Sequence, residues 1–257
     1  MQPQDYVYLH QLEDNFWWFA GMREIAAALL DPICSSDKKD WRVLDAGCGT
    51  GANLDWLRRY AQNGAVVGVD VTVAALNFCR SRGNLNLVQG SVTSLPLADN
   101  SFDLVTSFDV LIYPPGANAD DSALREMHRV LRPGGICFTR VAAHQWLYGE
   151  HDKATNALRR YSLDTLVKKI EQAKFEVMRV TYANSWLLPL AIARRLILKP
   201  IGFDRGSEVK PFSSGLKWMN DPLRKILASE ARLLSRPNSK LRLGLSAICI
   251  AQKRIHS

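Results

Sequence analysis

The sequence predicts an α/β fold built on a doubly wound, mainly parallel sheet with crossover helices on its faces. Apolar runs typical of buried strands alternate with amphipathic helical patterns between residues 41 and 142. Alternation on this scale indicates βαβ units, since parallel strands need a crossover between them. The length of 257 residues suits one core of the larger single-domain kind with room for an insertion.

The order of the expected elements follows from local patterns. The strands are short apolar runs bounded by turn residues, at 41–46, 65–70, 85–89, 102–107, 135–142, 175–182 and 243–252. The helices carry apolar residues at helical spacing, at 6–30, 52–62, 72–82, 120–131 and 162–173. About 60 residues separate the last two strands, far more than a hairpin loop, so the sequence predicts an insertion there.

A glycine-rich loop follows the first expected strand, in the run VLDAGCGTG at residues 43–51. Glycine lets the main chain adopt angles that a Cβ forbids, and such a loop between a strand and a helix is typical of nucleotide binding. The spacing differs from the dinucleotide fingerprint, and Asp45 inside the loop would repel a pyrophosphate. A ligand with a cationic or zwitterionic part therefore fits this loop better.

VLDAGCGTG resembles the first motif of class I S-adenosylmethionine (SAM) methyltransferases. Three further segments resemble motifs of this family in the same order: VVGVD at 66–70, LPL with NSFDLV within 95–105, and LRPGG at 131–135. The resemblance covers roughly residues 41–142 and is to the small-molecule, ubiquinone-biosynthesis-like branch. It implies a Rossmann-like, doubly wound seven-stranded sheet with an antiparallel last strand, SAM as the cofactor, and methyl transfer as the activity.

The resemblance also implies contacts to the cofactor. Asp70 is expected to accept hydrogen bonds from both ribose hydroxyls, and Asp45 to receive the methionine ammonium. The alternative for Asp70 is an N-cap of the helix at 72–82. Phe108 and Asp109 are expected near the sulfonium. The full set of expected cofactor residues is Asp45, Gly47, Cys48, Gly49, Gly51, Asp70, Val71, Ser91, Val92 and Phe108.

The acceptor side is expected to come from flanking segments. FWWFAGMR at 16–23, and His151-Asp152 followed by RRY at 159–161, resemble patterns of a bacterial subgroup. The expected substrate residues are Trp17, Trp18, Arg23, Arg160, Tyr161 and Trp186. The candidate bases are His144, His151 and Tyr113, because a hydroxyl acceptor must lose a proton. Purely structural roles stay open for all of these residues, since aromatic side chains bury large areas.

The net charge of +8 is unevenly distributed along the chain. Residues 185–257 carry 14 Lys and Arg against 4 Asp and Glu, a balance of +10, which leaves −2 for residues 1–184. The expected parts of the chain are an N-terminal helical cap (1–40), a SAM-binding core (41–184), a basic amphipathic helical insertion (185–241) and a closing strand (242–257). The insertion is interpreted as helices packed on the core, as a substrate lid that also rests on anionic lipid, or as a nucleic-acid surface.

The sequence therefore predicts a SAM-dependent methyltransferase that acts on a small apolar or lipid-like acceptor, with O-methylation favoured over C- or N-methylation. The alternatives are an rRNA or tRNA methyltransferase and a catalytically inactive SAM-fold binding protein. The [ND]PP[YF] signature of amino-directed enzymes is absent, which argues against nucleic acid. No metal ligands are expected. Five scattered cysteines and the lack of an apolar leader favour a cytoplasmic protein, with peripheral membrane contact as a further expectation.

Overall fold

The computed structural model describes residues 3–34, 40–193 and 218–255. Its strands are β1 Val43–Ala46, β2 Val66–Asp70, β3 Leu87–Gln89, β4 Phe102–Phe108, β5 Leu131–Ala142, β6 Phe175–Ala183 and β7 Ser246–Lys253. They form a seven-stranded sheet in the order β3-β2-β1-β4-β5-β7-β6. The first five strands pair in parallel, and β7 lies antiparallel between β5 and β6. The predicted fold class is confirmed.

The described helices are α1 Pro3–Leu12, α2 Trp17–Cys34, α3 Ala52–Ala61, α4 Val73–Ser81, α5 Ala119–Val130, α6 Glu150–Ala154, α7 Leu163–Gln172, α8 Leu188–Ile192 and α9 Asn220–Leu234. The single helix expected over 6–30 is wrong, because a turn divides it into α1 and α2. Asn220 stabilises this turn from across the molecule. Its Oδ1 accepts the Trp17 backbone N–H at 2.7 Å, and its Nδ2 donates to the Asn15 carbonyl at 2.9 Å.

The start of β5 also differs from the expectation. The strand begins at Leu131 rather than at residue 135, because Phe102 pairs with Leu131 ahead of an irregularity in the β4–β5 register. The Pro-Gly-Gly run therefore lies within the strand as it enters the sheet. The remaining predicted elements within the described residues agree with the structure to within a few residues.

Apolar side chains cover both faces of the sheet. One face packs against α2, α3 and α9, and the other packs against α5 and α7. Helix α9 contributes a buried apolar stripe at helical spacing, made of Leu223, Leu227, Ala231 and Leu234. Each fully buried leucine of this kind contributes about 1.5–3 kcal/mol. The second amphipathic pattern of the predicted insertion is therefore a core helix that packs along α2.

Two polar contacts fix α9 to the end of β6. The buried carboxylate of Glu230 accepts three backbone N–H groups at 2.5–2.7 Å, those of Asn184, Ser185 and Trp186. Burial raises the pKa of Glu230, and these hydrogen bonds counteract the rise. Arg179 of β6 donates to carbonyl oxygens at the C-terminal end of α9 and just beyond it, those of Leu234, Arg236 and Ser239. The helix is thereby held in one position over the sheet.

Part of the predicted insertion lies outside the described residues. This part includes Arg194, Arg195 and Lys217, which contribute to its basic character. Within the described ranges, no helix is both long enough and apolar enough to cross a membrane.

Candidate active site

A cavity of about 1510 Å³ lies at the carboxyl edge of the parallel strands. Strand β1 lies between β2 and β4 there, so the crossovers on its two sides run in opposite directions. Ligands of doubly wound sheets bind at this kind of switch point. The wall also includes the turn between α1 and α2, and residues of α8 and α9. Because ligand pockets usually measure about 300–1,000 Å³, this cavity has room for two ligands side by side.

The glycine loop after β1 forms the floor of the cavity. Gly47 has a φ of 91°, and a Cβ there would lie 2.3 Å from Val110 Cγ2. Gly49 has a φ of 54°, and a Cβ there would meet only Leu9, at 4.0 Å. Gly47 is therefore required by close packing, whereas Gly49 leaves an open surface toward the cavity. Gly51 does not line the cavity and precedes α3.

Cys48 lies in the same loop and lines the cavity, although its side chain is largely buried. Its Sγ lies 3.9 Å from Sγ of Cys79, on α4 beneath the loop. The hydrogen bond with the Cys79 thiol and burial raise the pKa of Cys48, so the thiol stays protonated. Cys48 therefore serves as a small packing residue beside the space that a ligand would fill.

Asp70 ends β2 and reaches the cavity wall. Its Oδ2 accepts the Gly49 backbone N–H at 3.0 Å, and its Oδ1 accepts the Thr72 N–H at 2.9 Å. Burial raises the pKa of Asp70 above its usual value, and the hydrogen bonds counteract the rise. A carboxylate accepts several hydrogen bonds, and Asp70 lines the cavity, so a ligand that presents a pair of hydroxyls can also bind there. The N-cap of α4 is Thr72 and not Asp70, so the capping alternative for Asp70 is wrong.

Asp45 and Glu13 are two buried carboxyl groups near the loop. Asp45 accepts the Thr106 hydroxyl at 2.8 Å and does not line the cavity. Glu13 lines the cavity from the α1–α2 turn, and its carboxylate accepts the Thr50 hydroxyl. Burial raises the pKa of each to about 7. Glu13 was missed by the sequence analysis, because nothing in the pattern indicates that the chain turns there.

Arg23 brings a positive charge to the Glu13 corner. Its Nη2 donates to the Glu13 carbonyl oxygen at 2.9 Å, and among the described residues it forms no ion pair within 4 Å. Burial lowers the pKa of Arg23, which lines the cavity. A guanidinium and a carboxyl group at one corner suit a ligand that carries both an ammonium and a carboxylate.

The raised pKa of Glu13 predicts a pH effect on stability. Its folded-state pKa of about 7 exceeds the usual value of 4.5, so its stabilising contribution is complete below pH 4.5 and is lost as pH rises through 7. We expect the free energy of unfolding of the cofactor-free protein to fall between pH 5 and 8. In Glu13→Gln the fall should be smaller by about 1–3 kcal/mol. Urea unfolding at both pH values measures this difference, and equal falls would contradict it.

The far end of the floor is formed by residues after β2 and β3. Val71, Ser91 and Val92 line the cavity as a group. The Ser91 hydroxyl lies 2.7 Å from that of Thr93 and also accepts the Thr93 N–H at 3.2 Å. Apolar packing therefore dominates this end, and one hydroxyl provides the polar contact.

The three candidate bases occupy different environments. His151 and Tyr113 line the cavity, whereas His144 does not and stacks on Tyr182 with ring centroids 4.9 Å apart. Burial lowers the pKa of His144. Burial raises the pKa of Tyr113 to about 12, and the nearby Asp109 carboxylate adds to the rise. The Tyr113 phenol therefore keeps its proton at neutral pH.

Some of the expected substrate residues line the cavity and others do not. Four of them line the cavity, namely Trp17, Trp18, Arg23 and Arg160. Tyr161 lies outside the lining and donates to Asp120 Oδ2 at 2.7 Å. Trp186 is 54% exposed and also lies outside the lining. The Arg160 guanidinium donates to both carboxylate oxygens of Asp152, at 2.8 and 3.1 Å.

Arg140 on β5 is a second wall residue that the sequence analysis missed. Its guanidinium carbon lies 5.0 Å from the Trp18 ring centroid and 5.2 Å from that of Phe108. It also forms an ion pair with Asp109 at 2.6 Å. An arginine within an otherwise apolar strand is the only signal that could have found it. Within the described ranges, no group of three His, Cys, Asp or Glu side chains is placed to bind a metal ion.

Comparisons with known proteins agree with this geometry. Residues 44–139 match a family described as a methyltransferase domain, Methyltransf_11. The chain is 38% identical over 123 residues to the fatty-acid O-methyltransferase of Mycolicibacterium smegmatis, which covers 46% of this chain and 43% of the relative. It is 37% identical over 111 residues to the ubiquinone/menaquinone biosynthesis C-methyltransferase UbiE of Haemophilus ducreyi, covering 40% and 41%. The chain thus spans less than half the length of these relatives.

Solved structures share the fold over nearly the whole chain. Phosphoethanolamine N-methyltransferase 2 of Haemonchus contortus, solved with S-adenosyl-L-methionine, has a TM-score of 0.62 at 17% identity and covers 98% of this chain and 57% of that one. The [4+2]-cyclase SpnF has a TM-score of 0.57 at 21% identity and covers 90% and 82%. At these identities the likeness concerns the fold alone.

Proposed function

We propose that this chain, whose residues 44–139 form a class I SAM-dependent methyltransferase domain, transfers the methyl group of SAM to an oxygen of a lipid-like acceptor. One observation carries the proposal. The lining of one cavity combines a charged corner at Glu13 and Arg23, suited to the cofactor, with an apolar extension, defined as its apolar lining residues at α8 and α9.

The residues of the charged corner fit SAM. Asp70 places a carboxylate on the cavity wall for the two ribose hydroxyls, and Gly49 lets the main chain lie against the ligand. Glu13 and Arg23 provide opposite charges for the ammonium and carboxylate of the methionine part. Bound SAM supplies an electrophilic methyl group on its sulfonium. The residues of the chain orient the acceptor toward it and exclude water.

The apolar extension fits an acyl or alkyl chain. Leu187 and Leu190 at α8, with Met219 and Leu223 at α9, line this part of the cavity. Each methylene buried there contributes about 0.8 kcal/mol to binding. Polar groups at the inner end, including His151, can contact a polar head group. The similarity to a fatty-acid O-methyltransferase supports oxygen as the acceptor atom.

The proposal also includes peripheral contact with an anionic membrane. Three apolar side chains in and next to α8 and α9 are more than half exposed, namely Trp186, Leu190 and Trp218. The balance of +10 over residues 185–257 supports attraction to anionic lipid. Flotation with phosphatidylglycerol vesicles should carry the protein upward, and the double change Trp186→Ser and Trp218→Ser should weaken this flotation. Equal flotation of both forms would contradict membrane contact.

The experiment for the proposed function has two parts. Calorimetric titration with SAM should give an affinity at least about tenfold lower for Asp70→Asn, because charge-assisted hydrogen bonds to the ribose are lost. Asp55→Asn on the exposed face of α3 is the matched control and should bind like the wild type.

The second part measures transfer of labelled methyl from SAM to dodecanoate and to nonylphenol. Unchanged binding by Asp70→Asn, or no transfer to either probe, would contradict the proposal. Salt-dependent binding of RNA would instead favour the nucleic-acid alternative.

A further inference from the structure

Asp109 holds an unusual backbone position at the switch point of the sheet. It directly follows β4 with a φ of 59°, in the left-handed region that few non-glycine residues adopt. Its backbone N–H donates to the Arg140 carbonyl at 2.8 Å. The next residue, Val110, fills the space that a Cβ on Gly47 would need. Asp109 is therefore one residue away from direct contact with the glycine loop, on the cavity wall.

Among the described residues, hydrogen bonds reach only one oxygen of this carboxylate. Arg140 donates from Nε at 2.9 Å and from Nη2 at 2.6 Å, in both cases to Oδ2 of Asp109. The arginine is itself held between the rings of Trp18 and Phe108 and is 7% exposed. Oδ1 accepts no hydrogen bond from the described residues, and the side chain is 22% exposed on the cavity wall. The carboxylate is thus fixed through one oxygen and open to a ligand through the other.

Two of the three earlier candidates, Tyr113 and His144, are less suited to accept a proton, whereas His151 also lines the cavity. Tyr113 keeps its phenolic proton, and the negative charge of Asp109 is one reason for this. His144 lies outside the cavity lining and stacks on Tyr182. A carboxylate within hydrogen-bond reach of a reacting hydroxyl can serve as general base and contribute about 10²–10⁴-fold to the rate.

We propose that Asp109 is the general base for the acceptor, that Arg140 is its positioning residue, and that the acceptor is a neutral hydroxyl compound rather than a carboxylate. This assignment rests on the proposed function and narrows its substrate class. The acceptor O–H bond breaks, its electron pair stays on the acceptor oxygen, and the proton passes to Oδ1 of Asp109. The proton then leaves to water at the exposed edge of the carboxyl group. A carboxylate acceptor has no proton to lose and would be repelled by the like charge.

The test compares a probe that must lose a proton with one that has none. Asp109→Asn keeps the side-chain volume, asparagine tolerates the left-handed backbone, and its amide oxygen can still accept from Arg140, so the native fold should persist at a lower free energy of unfolding. With nonylphenol as acceptor, we expect kcat to fall by about 100-fold or more in Asp109→Asn. With dodecanoate, any turnover by the wild type should be unchanged or higher in the variant. S-adenosylhomocysteine affinity, measured by calorimetry, should stay at the wild-type value. Asp55→Asn should match the wild type in every assay.

The variant Arg140→Lys tests whether Arg140 acts by positioning the Asp109 carboxylate. Lysine keeps the charge but loses the planar fork that fixes Oδ2 and stacks between two rings. We expect a smaller fall of kcat on nonylphenol than in Asp109→Asn, with little change on dodecanoate. The double variant should be no slower on nonylphenol than Asp109→Asn alone, because both changes act through one group.

The outcomes separate this assignment from the function on which it rests. A wild-type protein that methylates neither probe overturns the proposed function and the base assignment with it. Turnover of dodecanoate alone overturns the base assignment and leaves the proposed function intact. If nonylphenol is methylated, equal losses on both probes, reduced cofactor affinity, or an unimpaired Asp109→Asn each overturn the role of Asp109. Loss of nonylphenol turnover with unchanged cofactor affinity supports it.

Discussion

Gly47→Ala should lower the affinity for SAM by about 100-fold or more and should also destabilise the fold. The new Cβ would lie 2.3 and 2.7 Å from the two γ-methyl groups of Val110, so the loop or the residues after β4 must move. Overpacking of this kind costs about 1–3 kcal/mol, and the positive φ of 91° adds about 1–2 kcal/mol. Both walls of the cofactor site are displaced at once, which is why binding should suffer more than folding.

Gly83→Ala is the matched control for this prediction. Gly83 has a similar φ of 84°, but a Cβ there would meet nothing within 4 Å. Its variant should therefore carry only the backbone penalty and should bind SAM like the wild type. Thermal unfolding and calorimetric titration of both variants separate the two contributions. Similar SAM affinities for the two alanine variants would contradict the role assigned to close packing between Gly47 and Val110.

Asp152→Asn should lower the free energy of unfolding by about 3–5 kcal/mol, because it removes the negative charge that faces the buried Arg160 guanidinium. The two side chains are 2% and 4% exposed, and the Arg160 guanidinium contacts both carboxylate oxygens. Oδ2 of Asp152 also accepts the Gly149 N–H at 2.8 Å, so the start of α6 should loosen as well. This segment carries His151 on the cavity wall, and acceptor turnover should fall along with stability.

The control for this second prediction is a solvent-exposed ion pair between an aspartate and an arginine. Asp55 and Arg58 lie 3.4 Å apart on α3, with both side chains more than half exposed. Exposed pairs contribute about 0–1 kcal/mol, so Asp55→Asn should leave the unfolding curve in urea nearly unchanged. If the two variants unfold at the same urea concentration, burial of the Asp152–Arg160 pair is not what stabilises this region.

The parts of the site that depend on local sequence could be predicted. The glycine loop and Asp70 follow directly from strand–loop–helix patterns, and the structure brings both to the same cavity. Their position at the carboxyl edge of parallel strands is fixed once the α/β alternation is recognised. SAM as the cofactor was implied by the resemblance of these and two further segments to methyltransferase motifs.

The parts that depend on distant partners could not be predicted. Tyr161 stands in a motif that suggested substrate contact, but its hydroxyl faces Asp120, whose position only the packed fold determines. The α1–α2 turn was missed because Asn220, far along the chain, is needed to stabilise it. Arg140 was missed because a charged residue in a strand is unfavourable until Asp109 and two aromatic rings surround it.

The hydrogen bond between Asn220 and Trp17, at the start of α2, has a consequence for folding during synthesis. Trp17 and Asn220 are 203 positions apart, so a ribosome must complete most of the chain before this contact can form. The nucleotide-binding strands emerge well before the helix that completes the cavity above them. Closing so long a loop is entropically costly and slow, and it comes late in folding. A nascent chain therefore has the glycine loop for the cofactor before the cavity is complete. The part of the cavity wall that α9 contributes, on the side of the acceptor, forms last.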